Sequence, residues 1–220
     1  MSELLATYRD ETLGCTRCAL ASTRTQVVFG SGDANAELMF VGEAPGYHED
    51  QQGVPFVGQA GQLLEKLLNG IGLTRADVYI ANVLKCRPPG NRDPHPEEIE
   101  ACESHLFRQI ELIRPTLVAT LGNFATKLLS GKPTGITRVH GVPQQVTLGG
   151  NDVTLYPLYH PAAALYTRSM LAVLEEDFLR IPELLGRAHV PATESPFAAE
   201  PEPEPVVERA YEPAVQLGLF

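Results

Sequence analysis

No stretch of the 220-residue chain approaches the run of roughly 18 uncharged apolar residues that a membrane span requires. The opening residues, Met1-Ser2-Glu3-Leu4-Leu5, lack the basic-then-apolar order of a secretory signal, so a cytoplasmic protein with no membrane partner is expected. Basic residues are in deficit, 17 Lys and Arg against 27 Asp and Glu, and the net charge of −10 argues against a generic nucleic-acid binder. Much of that deficit is local, because Val190 to Phe220 holds six Glu and one Arg. The mildly acidic remainder can still hold DNA on a local basic rim, since exposed charges more than about 10 Å apart are screened. Phosphate loops are missing as well. There is neither G-x-x-x-x-G-K-S/T nor a strand-linked G-x-G-x-x-G, which counts against a nucleotide-phosphate enzyme of either kind.

Cysteine is scarce, and the four present are Cys15, Cys18, Cys86 and Cys102. In a reducing compartment a disulfide framework is not expected, so ligation of a metal is the leading reading. Cys15 and Cys18 form a C-x-x-C pair, but the second tight pair of a zinc ribbon is absent. One tight pair and two single thiols suit a 4Fe–4S cluster at least as well as zinc, and the spacing leaves both open.

The length allows one α/β domain with an ample core, over residues 1–189, followed by a tail over 190–220. Apolar runs at 37–41, 78–83, 117–121 and 153–159 read as strands, with a shorter edge strand at 26–30 and a less certain β-rich region at 136–147. Helical spacing follows the first run from Gln62 to about Gly70, and further helices are predicted over Pro96 to Arg114, Asn123 to Leu129 and Met170 to Leu185. Strands alternating with helices in this way predict a three-layer α/β/α sandwich with a mostly parallel central sheet. The tail is rich in Pro, Glu and Ala and is predicted to be disordered, ending in the apolar cluster Gln216-Leu217-Gly218-Leu219-Phe220.

The chain is organised around Leu38 to Gly61, a buried-strand pattern that stops at Gly42 and opens into a polar, acidic loop with Phe56 at its far end. Open parallel sheets bind ligands beyond the carboxyl ends of their strands. Gly42-Glu43, Asn82 and His160 all fall at or just past such ends. A carboxamide suits the amide edge of a nucleobase, an imidazole can donate to a developing oxyanion, and a phenyl ring can stack on a base. Singly, each residue has a plainer structural role; their shared edge makes the functional reading stronger.

On these residues the sequence resembles the family 4 uracil-DNA glycosylases, iron–sulfur members of the uracil-DNA glycosylase superfamily. The resemblance covers about Leu13 to Leu185 and rests on Gly42-Glu43-Ala44-Pro45-Gly46, Pro55-Phe56-Val57-Gly58-Gln59-Ala60-Gly61, Asn82-Val83-Leu84-Lys85-Cys86-Arg87-Pro88-Pro89 and His160-Pro161-Ala162-Ala163. It implies a uracil-DNA glycosylase-like fold and a DNA-repair enzyme that frees uracil from DNA. By the same resemblance Cys15, Cys18, Cys86 and Cys102 ligate a structural 4Fe–4S cluster, and Phe56 stacks on the flipped uracil. Asn82 then reads its O4 and N3 edge, His160 faces O2, and Gly42, Glu43 and Ala44 line the pocket.

The sequence departs from the best-known branch at two positions. That branch orients the attacking water with an Asp where this chain has Ala44, leaving Glu43, Asp50 or another group for the task. It excludes thymine with a Tyr where this chain has Gly46, which leaves Glu49 as a substitute. The covalent-trapping relatives carry a basic run that Pro88-Pro89-Gly90-Asn91-Arg92 lacks, so free product is expected. For DNA, the loop 162–169 is expected to act as a wedge, with Leu165 at its tip and Arg168 on a phosphate. Lys85, Arg87, Arg92 and Arg138 are expected on the rim. Gln216, Leu217, Leu219 and Phe220 look like the short motif with which bacterial repair proteins engage the sliding clamp. Nothing in the sequence demands more than a monomer. The rival reading is a non-catalytic Fe–S or zinc module that binds DNA, which would have no need of the Asn82, His160 and Phe56 set.

Overall fold

Two runs, Leu38–Gly42 and Leu117–Leu121, are buried at every residue, as central strands covered on both faces must be. The computed structural model describes residues 3–187 and builds six strands there. In chain order they are β1 (Ser31–Gly32), β2 (Leu38–Gly42), β3 (Tyr79–Asn82), β4 (Leu117–Leu121), β5 (Gln144–Leu148) and β6 (Asn151–Leu158). They form one sheet in the order β1-β3-β2-β4-β6-β5, parallel across β3, β2, β4 and β6, with an antiparallel strand on each edge.

Successive strand residues point to opposite faces, and the two faces pack on separate helix layers. On one side Met39, Val41, Ala81, Val118 and Leu155 meet apolar residues of α1 (Glu3–Leu13), α4 (Pro96–Ile113) and α5 (Asn123–Ser130), such as Leu5, Leu106 and Leu129. On the other, Phe40, Ile80, Ala119 and Leu158 meet α3 (Gln59–Gly70), α7 (Arg168–Leu179) and α8 (Ile181–Leu184) through Leu64, Leu67, Leu174, Phe178 and Ile181. The result is the three-layer α/β/α arrangement. Short helices α2 (Tyr47–Gln52) and α6 (Pro161–Ala164) stand at the carboxyl ends of the strands.

Several elements differ from the sequence-based expectation. Residues 26–30 do not join the sheet: Val28 N–H donates to the Lys85 carbonyl past the end of β3, and the edge pairing falls on Ser31 and Gly32 instead. The helix expected from Gln62 begins at Gln59. The last helix is broken at Arg180, because Pro182 has no N–H with which to continue the ladder. Of the region expected to be β-rich, only Gln144 onward is strand: Ile136–Arg138 is a 3-10 turn, and β5 pairs with β6 in a hairpin turned by Gly149 and Gly150 at φ 55° and 77°. Two consecutive left-handed residues are what a tight hairpin turn of matching twist demands. The clamp-like residues Gln216, Leu217, Leu219 and Phe220 lie outside the described residues, as does all of the expected tail.

Candidate active site

The parallel register of β2 and β3 sets Gly42 directly beside Asn82. A Cβ at residue 42 would lie 2.4 Å from Asn82 Oδ1 and 2.7 Å from Phe56 Cζ, so only glycine leaves room for both side chains. Asn82 is 2% exposed, and its Oδ1 is buried without a hydrogen-bond partner. An orphaned acceptor costs roughly 1–3 kcal/mol, which makes it a marker for a missing donor. From behind, the Asn82 carbonyl accepts from Lys85 Nζ at 2.7 Å, and Lys85 Nζ also donates to Gln109 Oε1 at 2.6 Å.

Phe56 stands at the entry to α3 with φ 54°, a left-handed backbone unusual for a bulky residue. Its neighbours fix the loop: Val57 N–H and Gly58 N–H both donate to Glu49 Oε1 at 2.9 Å, and Arg75 donates to the Pro55 and Phe56 carbonyls at 2.7 and 2.8 Å. The Phe56 ring lies 5.6 Å from the His160 ring at an interplanar angle of 27°.

His160 follows β6 and caps α6, with Ala162 N–H donating to its Nδ1 at 3.1 Å. The ring passes close over Gly122, where a Cβ would stand 3.2 Å from His160 Cβ. Burial lowers the imidazole pKa to about 4, with the charge of Glu49 pulling weakly the other way. The ring is therefore neutral at neutral pH. Because Nδ1 is an acceptor here, the proton sits on Nε2, which is left as a donor.

Glu43, Ala44, Gly46, Glu49, Phe56, Asn82 and His160 line one cavity of about 360 Å³. This is within the usual range for a small-molecule site. Burial, and then the nearby charge of Asp93, raises the Glu43 carboxyl to about 7. Asp50, the other carboxylate considered for positioning water, faces away: it is 3% exposed and accepts from Thr25 N–H at 2.9 Å. That carboxylate holds the loop and does not reach the cavity.

Cys15, Cys18, Cys86 and Cys102 line a second, much smaller space, between the loop after α1, the chain leaving β3, and α4. All four are free thiols. Arg24 Nη1 donates to Cys86 Sγ at 3.3 Å, Lys85 N–H donates to Cys102 Sγ at 3.3 Å, and His105 Nε2 lies 3.4 Å from Cys15 Sγ. Burial pushes the Cys86 thiol up to about 11 and raises Cys102 as well, while the cations of Arg24 and Lys85 act in the opposite sense. Donors and cations aimed at sulfur fit thiolate ligands, the charge state a soft metal centre requires. Among the described residues, no three Cys, His, Asp or Glu side chains gather as a single metal ion would need.

The rim is less uniform than expected. Lys85 cannot touch DNA: at 1% exposure it is entirely enclosed, and burial lowers its pKa to about 8. Arg87 sits at the lip with its guanidinium 5.2 Å from the centre of the Tyr47 ring and its Nε donating to Asn91 Oδ1. Arg92 lines the cavity and pairs with Glu98. Arg138 and Arg168 are exposed. At the tip of the wedge segment Leu165 is 37% exposed, whereas its neighbour Tyr166 is 84% exposed and projects further. Of that segment, 162–164 belong to α6 and 168–169 to α7, so only 165–167 are loop. Arg75, Gln109 and His105 carry no local motif, and the sequence offers no signal that would single them out.

Residues 29–181 match the Uracil DNA glycosylase superfamily. The type-4 uracil-DNA glycosylase of Archaeoglobus fulgidus is 49% identical over 181 residues, covering 80% of this chain and 91% of the relative. That of Saccharolobus solfataricus is 48% identical over 182 residues, covering 80% and 84%. That of Thermotoga maritima is 46% identical over 168 residues, covering 76% and 86%. Type-5 enzymes are more distant; the one from Pyrobaculum aerophilum is 38% identical over 60% of this chain. With fold, strand-end site and these likenesses in agreement, the chain belongs to the type-4 uracil-DNA glycosylases of the uracil-DNA glycosylase superfamily.

Proposed function

We propose that the protein hydrolyses the N-glycosidic bond of uracil in DNA, releasing free uracil and leaving an abasic site. The observation that carries this reading is the orphaned Asn82 Oδ1, buried at the wall of a cavity that also holds Phe56 and a neutral His160. Uracil offers a ring N–H beside a carbonyl oxygen, and a carboxamide offers the complementary acceptor and donor. The extruded base leaves the stack at a cost of a few kcal/mol and regains contact on the Phe56 ring.

As the glycosidic bond breaks, electron density moves onto the base. The Nε2–H of His160 donates to O2, where charge develops, so it lowers the barrier more than it tightens ground-state binding. A neutral donor is sufficient and keeps its proton. Glu43, with its carboxyl near neutrality, is suited to orient the water that attacks the sugar carbon. Ala44 cannot do this, and Asp50 is committed elsewhere. Glu49, lining the same cavity, serves to refuse the 5-methyl group of thymine. The test is direct: purified protein is incubated with a uracil-containing oligonucleotide and treated with alkali. Scission at the uracil position is expected, while an intact strand would return the protein to the rival reading of a passive DNA-binding module.

The four cysteines are suited to a 4Fe–4S cluster, which when bound supplies a structural cross-link between three chain segments. Their thiols surround one shared space, and Arg24 and Lys85 donate to two of the sulfurs, as thiolate ligands require. Visible absorbance with four iron atoms per chain would support this; a colourless zinc protein would not. Leu165, with Tyr166 beside it, serves as the wedge, and Arg87, Arg168 and Arg138 as phosphate contacts. A monomer in the reducing cytoplasm, tethered to the sliding clamp through Gln216, Leu217, Leu219 and Phe220, completes the reading. No helix among the described residues is long and apolar enough to cross a membrane.

A further inference from the structure

We infer that Arg75 is a positioning residue for the base-stacking ring, its guanidinium holding Phe56 in the left-handed conformation that turns the phenyl group into the uracil cavity. The inference rests on the glycosylase reading above. Among the described residues, three non-glycine residues have positive φ: Phe56, Asn91 and Arg114. Asparagine tolerates this region, and Arg114 is the C-cap of α4, where a left-handed residue is ordinary. A phenylalanine adopts it only where its surroundings impose it.

Three contacts impose it here. Downstream, the Glu49 carboxylate fastens the next two amides, Val57 and Gly58. Sideways, the Phe56 carbonyl lies so close to α3 that a Cβ at Gly61 would be 1.8 Å from its oxygen. Upstream, the planar fork of Arg75 meets two successive carbonyls, Nη2 on Pro55 and Nη1 on Phe56. A guanidinium presents donors in a fixed plane, so it fixes the angle between those carbonyls as a lysine ammonium cannot.

The fork is itself held. Arg75 rises from a turn in which Thr74 N–H and the Thr74 hydroxyl both donate to Asp77 Oδ2, at 2.8 and 2.6 Å. Burial lowers the Arg75 pKa, yet the charges of Glu65 and Glu49 oppose that shift, and the side chain stays a cation. Arg75 does not line the cavity, so it touches neither base nor sugar and acts through Phe56 alone. Without the fork, two carbonyls lose their donors, and only the Glu49 clamp and the close packing on Gly61 still oppose relaxation of Phe56 to negative φ. That rotation carries the ring out of the slot beside Gly42 and His160.

A double-mutant cycle on the full-length holoprotein tests this. Arg75→Ala, Phe56→Ala and the double variant are compared with wild type by single-turnover cleavage of a uracil-containing oligonucleotide and by inhibition with free uracil. Base stacking of this kind sets the expected loss in kcat/KM at about tenfold for Arg75→Ala, with a similar weakening of uracil inhibition. Phe56→Ala should lose at least as much, and the double variant should be no worse than Phe56→Ala alone. Arg75→Lys should recover little, and it carries the same cycle if Arg75→Ala does not fold. Multiplicative losses in the double variant would overturn the inference, as would unchanged uracil inhibition beside a lowered unfolding temperature. A wild-type protein that leaves the oligonucleotide intact would remove the glycosylase reading itself, a distinct result.

Discussion

Replacing His160 with alanine should separate catalysis from binding. The imidazole is held by the Ala162 N–H on Nδ1, is neutral because burial has lowered its pKa to about 4, and so presents a single donor, Nε2–H, to the cavity. If that donor meets the charge developing on O2, its loss costs about 2.7–4 kcal/mol in the transition state, or about 10²–10³ in kcat. Affinity for DNA rests on phosphate contacts that His160 does not make, so the dissociation constant should stay within about threefold. Single-turnover cleavage gives the first quantity. Fluorescence anisotropy with an oligonucleotide carrying a cleavage-resistant 2′-fluoro-deoxyuridine gives the second. His160→Gln, which can still present an N–H, should recover part of the rate. Equal losses in rate and affinity would refute the argument, since they would mean that His160 holds the ground state as firmly as the transition state.

Gly42→Ala places a methyl group 2.4 Å from Asn82 Oδ1 and 2.7 Å from the Phe56 ring; overpacking of about 1–3 kcal/mol should cut cleavage at least about tenfold and lower the unfolding temperature by a few degrees, about 2–4 °C per kcal/mol. Glu43, raised to about 7, is a neutral acid below that pH and a carboxylate above it, so cleavage should rise with pH through about 7 and level off. Glu43→Gln should be slower and lack that limb, and a retained limb would point to another group. Cys102→Ser or removal of iron should abolish visible absorbance and lower the unfolding temperature by at least about 5 °C; an unchanged transition would exclude a structural metal. Deletion of Gln216 to Phe220 should abolish binding to the sliding clamp and leave cleavage at wild-type rate, as pull-down and the alkali assay would show.

The central strands were legible because Leu38-Met39-Phe40-Val41 and Leu117-Val118-Ala119-Thr120-Leu121 are apolar throughout, a pattern that full burial alone produces. Residues 26–30 carry the same local signal without becoming a strand: the edge pairing is confined to Ser31 and Gly32, and the Val28 N–H goes to the Lys85 carbonyl instead. The glycine pair 149–150 turns a hairpin that the uneven pattern of 136–147 does not announce, and α2 has no apolar periodicity to betray it. At the site, Gly42, Asn82 and His160 fall at strand ends, and strand ends are visible in a sequence. Glu43 and Asp50 looked interchangeable because side-chain direction is not visible. Lys85 looked like a rim cation because the sequence cannot show that Asn82 O and Gln109 wait for its ammonium inside the fold.

That buried lysine also ties the four-cysteine site to the cavity. Asn82 and Cys86 are four residues apart, one at the strand-end cavity and the other at the thiol site. Between them Lys85 donates its backbone N–H to Cys102 Sγ and its ammonium to the Asn82 carbonyl. The short chain from Asn82 to Cys86 is therefore held across its middle by α4, through Gln109 and Cys102. Such fixing favours binding in the cavity, because each degree of freedom removed beforehand is one a ligand need not restrict. Lys85 is thus enclosed between a residue of the cavity, Asn82, and a residue of the thiol site, Cys102, and couples the two through one side chain and one amide.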